Sequence, residues 1–168
     1  MSWSDRLSRF GLVFALVLPA LGCLKPMYSG VEGVALQNEL AAIAIDPIPE
    51  RTGHYLGNEL RFLLNGTGSE VKPKYRLQIT LRERVQASLV DSSSQRASAG
   101  SIIIDADYKL VPLQGGTPIA KGVAFTFASY DRSSQRFANI RAARDAEIRD
   151  ARTLAEQIKT RLAADLAR

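Results

Sequence analysis

The chain has 168 residues, with 22 basic and 17 acidic side chains, a formal net charge of +5 and one cysteine. This length leaves room for a leader and one domain, and a single cysteine excludes an internal disulfide. The positive excess is modest and spread along the chain, so it does not by itself indicate a phosphate-bearing partner.

The first 22 residues have the features of an export signal. Arg6 and Arg9 give a weakly positive start, and residues 10–21 form a mainly apolar run. A membrane-spanning helix needs about 20 apolar residues, so this run is too short, and Pro19 interrupts it near its end. The pattern therefore predicts a signal peptide over residues 1–22.

The leader ends in Ala-Leu-Gly-Cys at residues 20–23, which resembles a bacterial lipobox. Ala20 and Leu21 stand in the reverse of the usual order, so ordinary signal-peptidase cleavage nearby is the alternative. A lipobox cysteine becomes acylated, and each buried methylene contributes about 0.8 kcal/mol to membrane binding. We predict a lipid anchor at Cys23. By analogy with other lipoproteins, Leu24 after it favours the outer membrane.

A tether, a strand and a helix are predicted next. Residues 24–38 include Pro26 and lack a clear period, which is typical of an irregular segment, so residues 23–38 are interpreted as the acylated N-terminus and tether. The apolar run 40–45 predicts a buried first strand. Leucines at helical spacing between Thr52, a possible N-cap, and Gly66 predict a helix.

Three strands and a long helix complete the predicted domain, residues 39–168. Apolar and polar residues alternate over residues 75–85, 102–113 and 119–130, with a Gly-Gly turn before the last strand. Residues 87–101, rich in Ser and Ala, are interpreted as a mobile loop or an extension of the hairpin. From Ser133 an apolar stripe that includes Phe137 and Ile140 runs to the end and predicts a helix.

The element order β-α-β-β-β-α predicts an α+β fold, a two-layer sandwich with two helices packed on one face of a four-stranded mixed sheet. The first strand should run parallel to the second through its helical crossover, and the last three strands form an antiparallel meander. The other face of the sheet is expected to be uncovered. Its predicted lining is Arg76, Gln78, Thr80, Arg82, Asp105, Asp107, Lys109 and the small residues Ala120, Gly122, Ala124, Thr126 and Ala128.

The same topology brings three arginines toward one end of the sheet. Residues 87–101 and 131–136 should share that end, opposite the anchored N-terminus. Arg96, Arg132 and Arg136 can then form a basic tip, called the arginine end below, which is directed away from the anchor membrane. Three unrelated surface arginines are the alternative interpretation.

The sequence has no recognisable catalytic pattern. Its one histidine, His54, stands alone, and neither a metal-spaced Cys/His/carboxylate cluster, a G-x-S-x-G elbow nor a Gly-rich phosphate loop is present. Asp105 and Asp107 share a strand face, but the basic residues around them favour ion pairs over an acid/base pair. We predict that the protein is not an enzyme and needs neither cofactor nor metal.

Four stretches of the chain match one family in order and spacing. They are residues 23–30 (CLKPMYSG), 45–53 (IDPIPERTG), the strand segments YRL at 75–77 and ADYKL at 106–110, and the end from ASYD at 128–131 through LAEQIKTRL at 154–162. These stretches resemble the alphaproteobacterial form of the LptE family of lipopolysaccharide-assembly lipoproteins. Leu24 and Lys25 depart from the family's C-G-F-x-P-L-Y-G opening. The likeness covers nearly the whole mature chain.

The resemblance implies a function without catalysis. LptE-type proteins plug the outer-membrane barrel LptD, help it assemble, bind lipopolysaccharide and assist its insertion into the outer leaflet. The implied partners are LptD, lipopolysaccharide and, through the anchor, the outer membrane facing the periplasm, with no nucleic acid. Arg96, Arg132 and Arg136 are lipopolysaccharide-binding candidates from topology alone. An auxiliary lipoprotein of a lipid-trafficking ABC transport system is the alternative, followed by an anchored periplasmic enzyme.

Overall fold

The structure is a computed structural model that describes residues 30–66, 71–91 and 96–167. The chain divides into two compact units, residues 1–34 and 35–168, and the side-chain contacts given below lie within the second. The elements are α1 (Gly30–Ala41), β1 (Ile43–Ile45), α2 (Glu50–Asn65), β2 (Tyr75–Asp91), β3 (Arg96–Pro112), β4 (Ala120–Asp131) and α3 (Arg136–Leu166).

The sheet confirms the predicted α+β fold and the β-α-β-β-β-α order that follows α1. Its strands lie in the order β1-β2-β3-β4. β1 runs parallel to β2, and the other two pairings are antiparallel. No helix among residues 30–66, 71–91 and 96–167 is long and apolar enough to span a membrane.

Helix α1 lies where the sequence predicts an irregular tether and the start of the first strand. Leu36 and Leu40 are buried, and their spacing of four is that of one helix face. Gly30 and Gly33 have low helix propensity, which obscured this period in the sequence. Strand β1 is therefore only three residues long.

The segment at 87–101 is an extension of the hairpin, the second of the two alternatives left open by the sequence. Pairing between β2 and β3 continues from Tyr75 opposite Pro112 to Asp91 opposite Arg96, with register shifts around Leu89. Strands β2 and β3 are therefore each 17 residues long.

The core lies between the sheet and helices α2 and α3. Its largest fully buried apolar side chains are Leu56, Leu60, Leu77, Ile102, Ile104, Leu110, Leu154, Ile158 and Leu162. The buried residues of α3 begin only at Ala146. Phe137 and Ile140, predicted on the apolar stripe, are 83% and 52% exposed. A helix of 31 residues is about 46 Å long, and its first turns overhang the core.

Strand β4 faces the opposite way from the prediction. Ala120, Ala124, Thr126 and Ala128 are buried on the helix-covered face instead of lining the uncovered one. The register places Thr126 opposite the buried Ile104, so both belong to the same face. Helix α3 can lie close to β4 only where the side chains beneath it are small. The larger alternate residues are consequently turned to the uncovered face.

The start of α2 lies very close to the chain that precedes it. A Cβ on Gly53 would lie 2.7 Å from Ile48 Cγ2 and 2.8 Å from Ile48 O. A Cβ on Gly57 would meet nothing nearer than 3.6 Å, an atom of the flexible Arg61 side chain. Only the first glycine is required by packing.

We expect Gly53→Ala to lower the free energy of unfolding by about 1–3 kcal/mol, because the added methyl overpacks a site bounded by backbone. Gly57→Ala should leave it unchanged or raise it by about 0.5–1 kcal/mol, because alanine is the better helix former. Urea denaturation of the two variants measures both values. Equal effects of the two substitutions would contradict the close approach of Ile48.

Candidate functional site

The open sheet face, which lies opposite α2 and α3, is a candidate functional surface. It presents alternate side chains of three strands in cross-strand rows. The rows, in the order β2, β3 and β4, are Gln78–Lys109–Lys121, Thr80–Asp107–Val123, Arg82–Asp105–Phe125 and Arg84–Ile103–Phe127. Apart from Lys121 on β4 and Ile103 on β3, the charged side chains of these rows lie on β2 and β3 and the apolar ones on β4.

An ionic ladder occupies the β2 and β3 side of this face. Arg82 Nη2 lies 2.7 Å from Asp107 Oδ2, and Arg84 Nη2 lies 2.7 Å from Asp105 Oδ2. Both pairs are diagonal to the strand register and partly exposed, so each contributes about 0–1 kcal/mol to stability. The two carboxylates are engaged in ion pairs, as the basic residues around them predicted.

An apolar row on β4 lies beside the ladder. Val123, Phe125 and Phe127 are 51%, 50% and 64% exposed. They are two residues apart, so the row extends about 14 Å along the strand. Ile103 stands opposite Phe127 in the register and widens the row at that end.

A lysine pair stands at the other end of the row. Lys109 and Lys121 are directly opposite each other in the β3–β4 register, and both are exposed. A groove of about 580 Å³ runs past them, lined also by Gln78, Thr80, Val123 and Asp107, the last of which is paired with Arg82. The groove thus joins two cationic side chains to the first residue of the apolar row.

Side chains of α3 cover the outer edge of β4. Arg149 Nη2 donates to Ser129 O at 3.0 Å and Gln157 Nε2 to Phe125 O at 3.1 Å, and Arg161 Nη1 donates to Val123 O. Four residues of a helix advance about 6 Å along its axis, and two residues of a strand advance about 6.8 Å. A donor every four residues of α3 therefore stays level with every second carbonyl of β4. The match lets one helix face bond successive edge carbonyls. An exposed edge would otherwise be a template for pairing with another chain.

Removing the edge donors should promote self-association. In Arg149→Ala/Arg161→Ala the Ser129 and Val123 carbonyls lose their donors, and we expect the apparent mass to rise with protein concentration. Light scattering after size-exclusion chromatography measures this mass. The control Arg144→Ala/Arg152→Ala removes the same charge from the same helix and should not change it. If both variants behave alike, the edge donors have no protective role.

The arginine end (Arg96, Arg132 and Arg136) is only partly described. Arg132 N donates to Ser98 O at 2.9 Å, which confirms that the segments 87–101 and 131–136 meet at one end of the sheet. Arg132 and Arg136 are exposed, and the Arg96 side chain lies outside the described part of the chain. Their role in lipopolysaccharide binding stays a prediction, as does lipidation of Cys23, which also lies outside the described residues.

The junction before α3 is held by a side chain of the helix itself. Asn139 Oδ1 accepts from Ser133 N at 2.8 Å, and Asn139 Nδ2 donates to Ser133 O at 2.8 Å. Gln135 N also donates to Ser133 Oγ at 3.1 Å. These bonds fix the backbone between Arg132 and Arg136. The segment is therefore preorganised although its neighbours on α3 overhang the core.

Three polar contacts with carboxylates join elements within the two layers, one between helices α2 and α3 and two between a helix and the sheet. Arg51 Nε donates to Glu147 Oε2 at 2.7 Å. The Thr52 hydroxyl, expected to cap α2, instead donates to Glu83 Oε2 at 2.7 Å, and the helix begins earlier, at Glu50. The third contact is made by Asp150. No sequence motif marks these carboxylates, although Glu147 and Asp150 share the spacing of the buried apolar residues of α3.

Asp150 is 1% exposed and accepts a hydrogen bond from Thr126 Oγ1 at 3.0 Å. Its Oδ2 has no hydrogen-bond partner among the described residues. Burial raises the pKa of this carboxyl above its ordinary value, and the nearby Glu83 acts in the same direction, against Thr126 and Arg149. No group of three or more His, Cys, Asp or Glu that could hold a metal occurs in the described ranges.

The raised pKa of Asp150 predicts a pH dependence of stability. A group whose pKa is higher in the folded protein contributes stability below its unfolded pKa, and this contribution is lost as the pH rises. The free energy of unfolding of the wild type, minus that of Asp150→Asn, should therefore increase from pH 7 to pH 4. Urea denaturation at both values measures it. A constant difference would show that the carboxyl titrates equally in both states.

Comparison with known proteins agrees with this fold. The model of the LptE family, described as lipopolysaccharide-assembly, matches residues 40–162. A protein of Caulobacter crescentus CB15 described as a lipoprotein is 24% identical, with a TM-score of 0.66 over 80% of this chain and 97% of its own. A minor lipoprotein of Acinetobacter baumannii is 15% identical, with a TM-score of 0.55 over 74% and 91%. At these identities the two structures support the fold alone. No curated protein matches the chain significantly.

Proposed function

Because the chain belongs to the LptE family of lipopolysaccharide-assembly proteins, we propose that it plugs the lipopolysaccharide-translocating barrel LptD and helps it assemble. In this role it binds lipopolysaccharide and assists its insertion into the outer leaflet. The observation that carries the proposal is the family match over residues 40–162, which extends from before β1 into α3. The family is one of non-enzymatic assembly factors, so the proposed role requires no catalytic group.

The surface of the domain supports a role as a plug. The lumen of a large outer-membrane barrel is polar. The ionic ladder on β2 and β3 offers such a lumen charged groups that can exchange partners with the wall. The bonded edge of β4 favours docking through side chains, because its carbonyls at Val123, Phe125 and Ser129 already accept hydrogen bonds from α3.

The proposed anchor is the acylated Cys23, which would hold the protein on the outer membrane facing the periplasm. A lipobox cysteine carries a diacylglyceryl group on its sulfur and a third acyl chain on its amine. Three acyl chains hold a protein on a membrane far more strongly than a single chain, whose membrane binding is marginal. Leu24 after the cysteine supports the outer membrane as the destination. The anchor keeps the domain at the membrane in which the barrel assembles.

The arginine end is the proposed contact for lipopolysaccharide. Arginine donates forked, charge-assisted hydrogen bonds that suit phosphate groups. The Ser133–Asn139 bonds fix the backbone that carries Arg132 and Arg136, so less conformational freedom is lost on binding. A pocket of about 340 Å³ nearby is lined by Asp131, Asp145 and Arg149, and its one cation, Arg149, is already paired with Asp145 at 2.9 Å. The phosphates should therefore bind to the arginine end and not inside this pocket.

Co-purification tests the proposed function. The full chain, tagged at its C-terminus and extracted in mild detergent, should bring LptD with it from the outer membrane. Recovery of an inner-membrane ABC transporter without the barrel would support the alternative, an auxiliary lipoprotein of a lipid-trafficking system, and would overturn the plug.

The arginine end is tested in the same preparation. Arg96→Gln/Arg132→Gln/Arg136→Gln should weaken lipopolysaccharide binding at least about tenfold, since charge-assisted bonds contribute about 1.5–3 kcal/mol each, while LptD recovery stays unchanged. The control Arg144→Gln/Arg152→Gln should leave both unchanged. If the triple variant binds lipopolysaccharide with wild-type affinity, the three arginines do not form the lipopolysaccharide contact.

A further inference from the structure

The apolar row is not explained by a plug in a polar lumen. Val123, Phe125 and Phe127 each expose half or more of their side chain along about 14 Å of strand. Contiguous exposed apolar surface marks a place that an apolar partner covers. The smaller alternate residues of β4 fill the position beneath α3, so the row cannot turn inward without displacing that helix.

The lysine pair has no anionic partner within the described part of the chain. Asp107, the carboxylate of the adjacent row, is bound to Arg82 at 2.7 Å. Residues 108–130 contain neither Asp nor Glu. Like charges directly opposite each other across two strands destabilise the sheet. An anion held between Lys109 and Lys121 would convert this repulsion into two attractive contacts.

The groove connects these two features. Lys121 and Val123 are successive outward residues of β4, so the cationic end leads directly into the apolar row. From Lys121 to Phe127 the surface extends about 20 Å along one strand. Gln78 and Thr80 add neutral polar groups on the far side of the lysines. The arrangement matches an amphiphile with an anionic head and an extended apolar tail.

We propose that this groove binds one anionic glycerophospholipid, with its phosphodiester between Lys109 and Lys121 and an acyl chain along Val123, Phe125 and Phe127. The groove volume of about 580 Å³ lies in the range of sites for a single small ligand and suits the headgroup and the start of one chain, which continues past Val123 along the exposed row. A glycolipid with several chains and two phosphates exceeds a single apolar row. The site uses none of the three arginines of the arginine end and does not depend on the barrel partner.

Native mass spectrometry of the full chain in a neutral detergent tests the ligand class. Phosphatidylglycerol should form adducts at lower concentration than phosphatidylcholine of the same chain length. Lys109→Gln/Lys121→Gln should reduce phosphatidylglycerol adducts at least about fivefold, which corresponds to a loss of about 1 kcal/mol. The matched control Arg144→Gln/Arg152→Gln removes the same charge from α3 and should bind as the wild type does. Equal loss in both variants would overturn the site.

A tryptophan reporter tests the location. Trp3 is the one tryptophan of the chain, so Trp3→Phe/Phe125→Trp places a single indole in the row. Phosphatidylglycerol with brominated acyl chains should quench its fluorescence, and Lys109→Gln/Lys121→Gln should abolish the quenching. The control Trp3→Phe/Phe62→Trp reports from α2, where Phe62 is 68% exposed, and should stay unquenched.

Three results would overturn the proposal: equal quenching at both positions, no quenching at either, or a response of the Phe125→Trp reporter to purified lipopolysaccharide but not to phosphatidylglycerol. LptD recovery separates this site from the proposed function. LptD should still co-purify with Lys109→Gln/Lys121→Gln. The phospholipid site can therefore be disproved while the LptD partnership holds, and the reverse.

Discussion

The close approach of helix α3 to strand β4 is the constraint on which the surfaces of this domain depend. Ala124, Thr126 and Ala128 leave room for a helix only because their side chains are small. The same alternation turns Val123, Phe125 and Phe127 outward on the opposite face. The close helix also brings Arg149, Gln157 and Arg161 within reach of the strand's outer carbonyls. One packing choice thus determines an apolar row and a protected edge together.

Polar contacts add specificity to this layer. The Arg51–Glu147 and Thr126–Asp150 pairs each join a helix to another element at a single register. Only Glu147 of the Arg51–Glu147 pair is buried, and desolvation of a buried charge offsets part of the attraction between the two charges, so the pair adds little net stability. Its partners are nevertheless costly to separate. We infer that these contacts fix how far α3 slides along β4, and therefore which of its side chains meets which edge carbonyl.

Much of the fold follows from periodicity. Alternation located three of the strands, and the leucine spacing located α2. Periodicity cannot tell which side of a strand is covered, and a rule that buries large apolar groups chooses wrongly for Phe125 and Phe127. The exposure of Phe137 and Ile140 at the start of α3 escaped prediction for a related reason, because an apolar stripe does not record where the surface beneath it ends. Helix α1 was not predicted because Gly30 and Gly33 lower the helix propensity of its first turns.

The candidate site was predictable only in part. Basic residues near Asp105 and Asp107 indicated ion pairs, and meander topology placed the segments of Arg96 and Arg132 at one end. The lysine pair depends on the β3–β4 register. Lys109 and Lys121 are separated by a turn whose length alone does not establish that they stand opposite each other. Predicting the groove requires both that register and the knowledge of which side of β4 is uncovered. The spacing of residues within one strand determines neither.

The protected edge has a consequence for how the chain folds. Strands β2, β3 and β4 are sequence neighbours and can pair as soon as they are available, because antiparallel hairpins close short loops. The residues that bond the outer carbonyls of β4 all come from α3, which follows the last strand in the chain. Between completion of the meander and docking of this helix, the sheet has an unsatisfied border that can pair with another molecule.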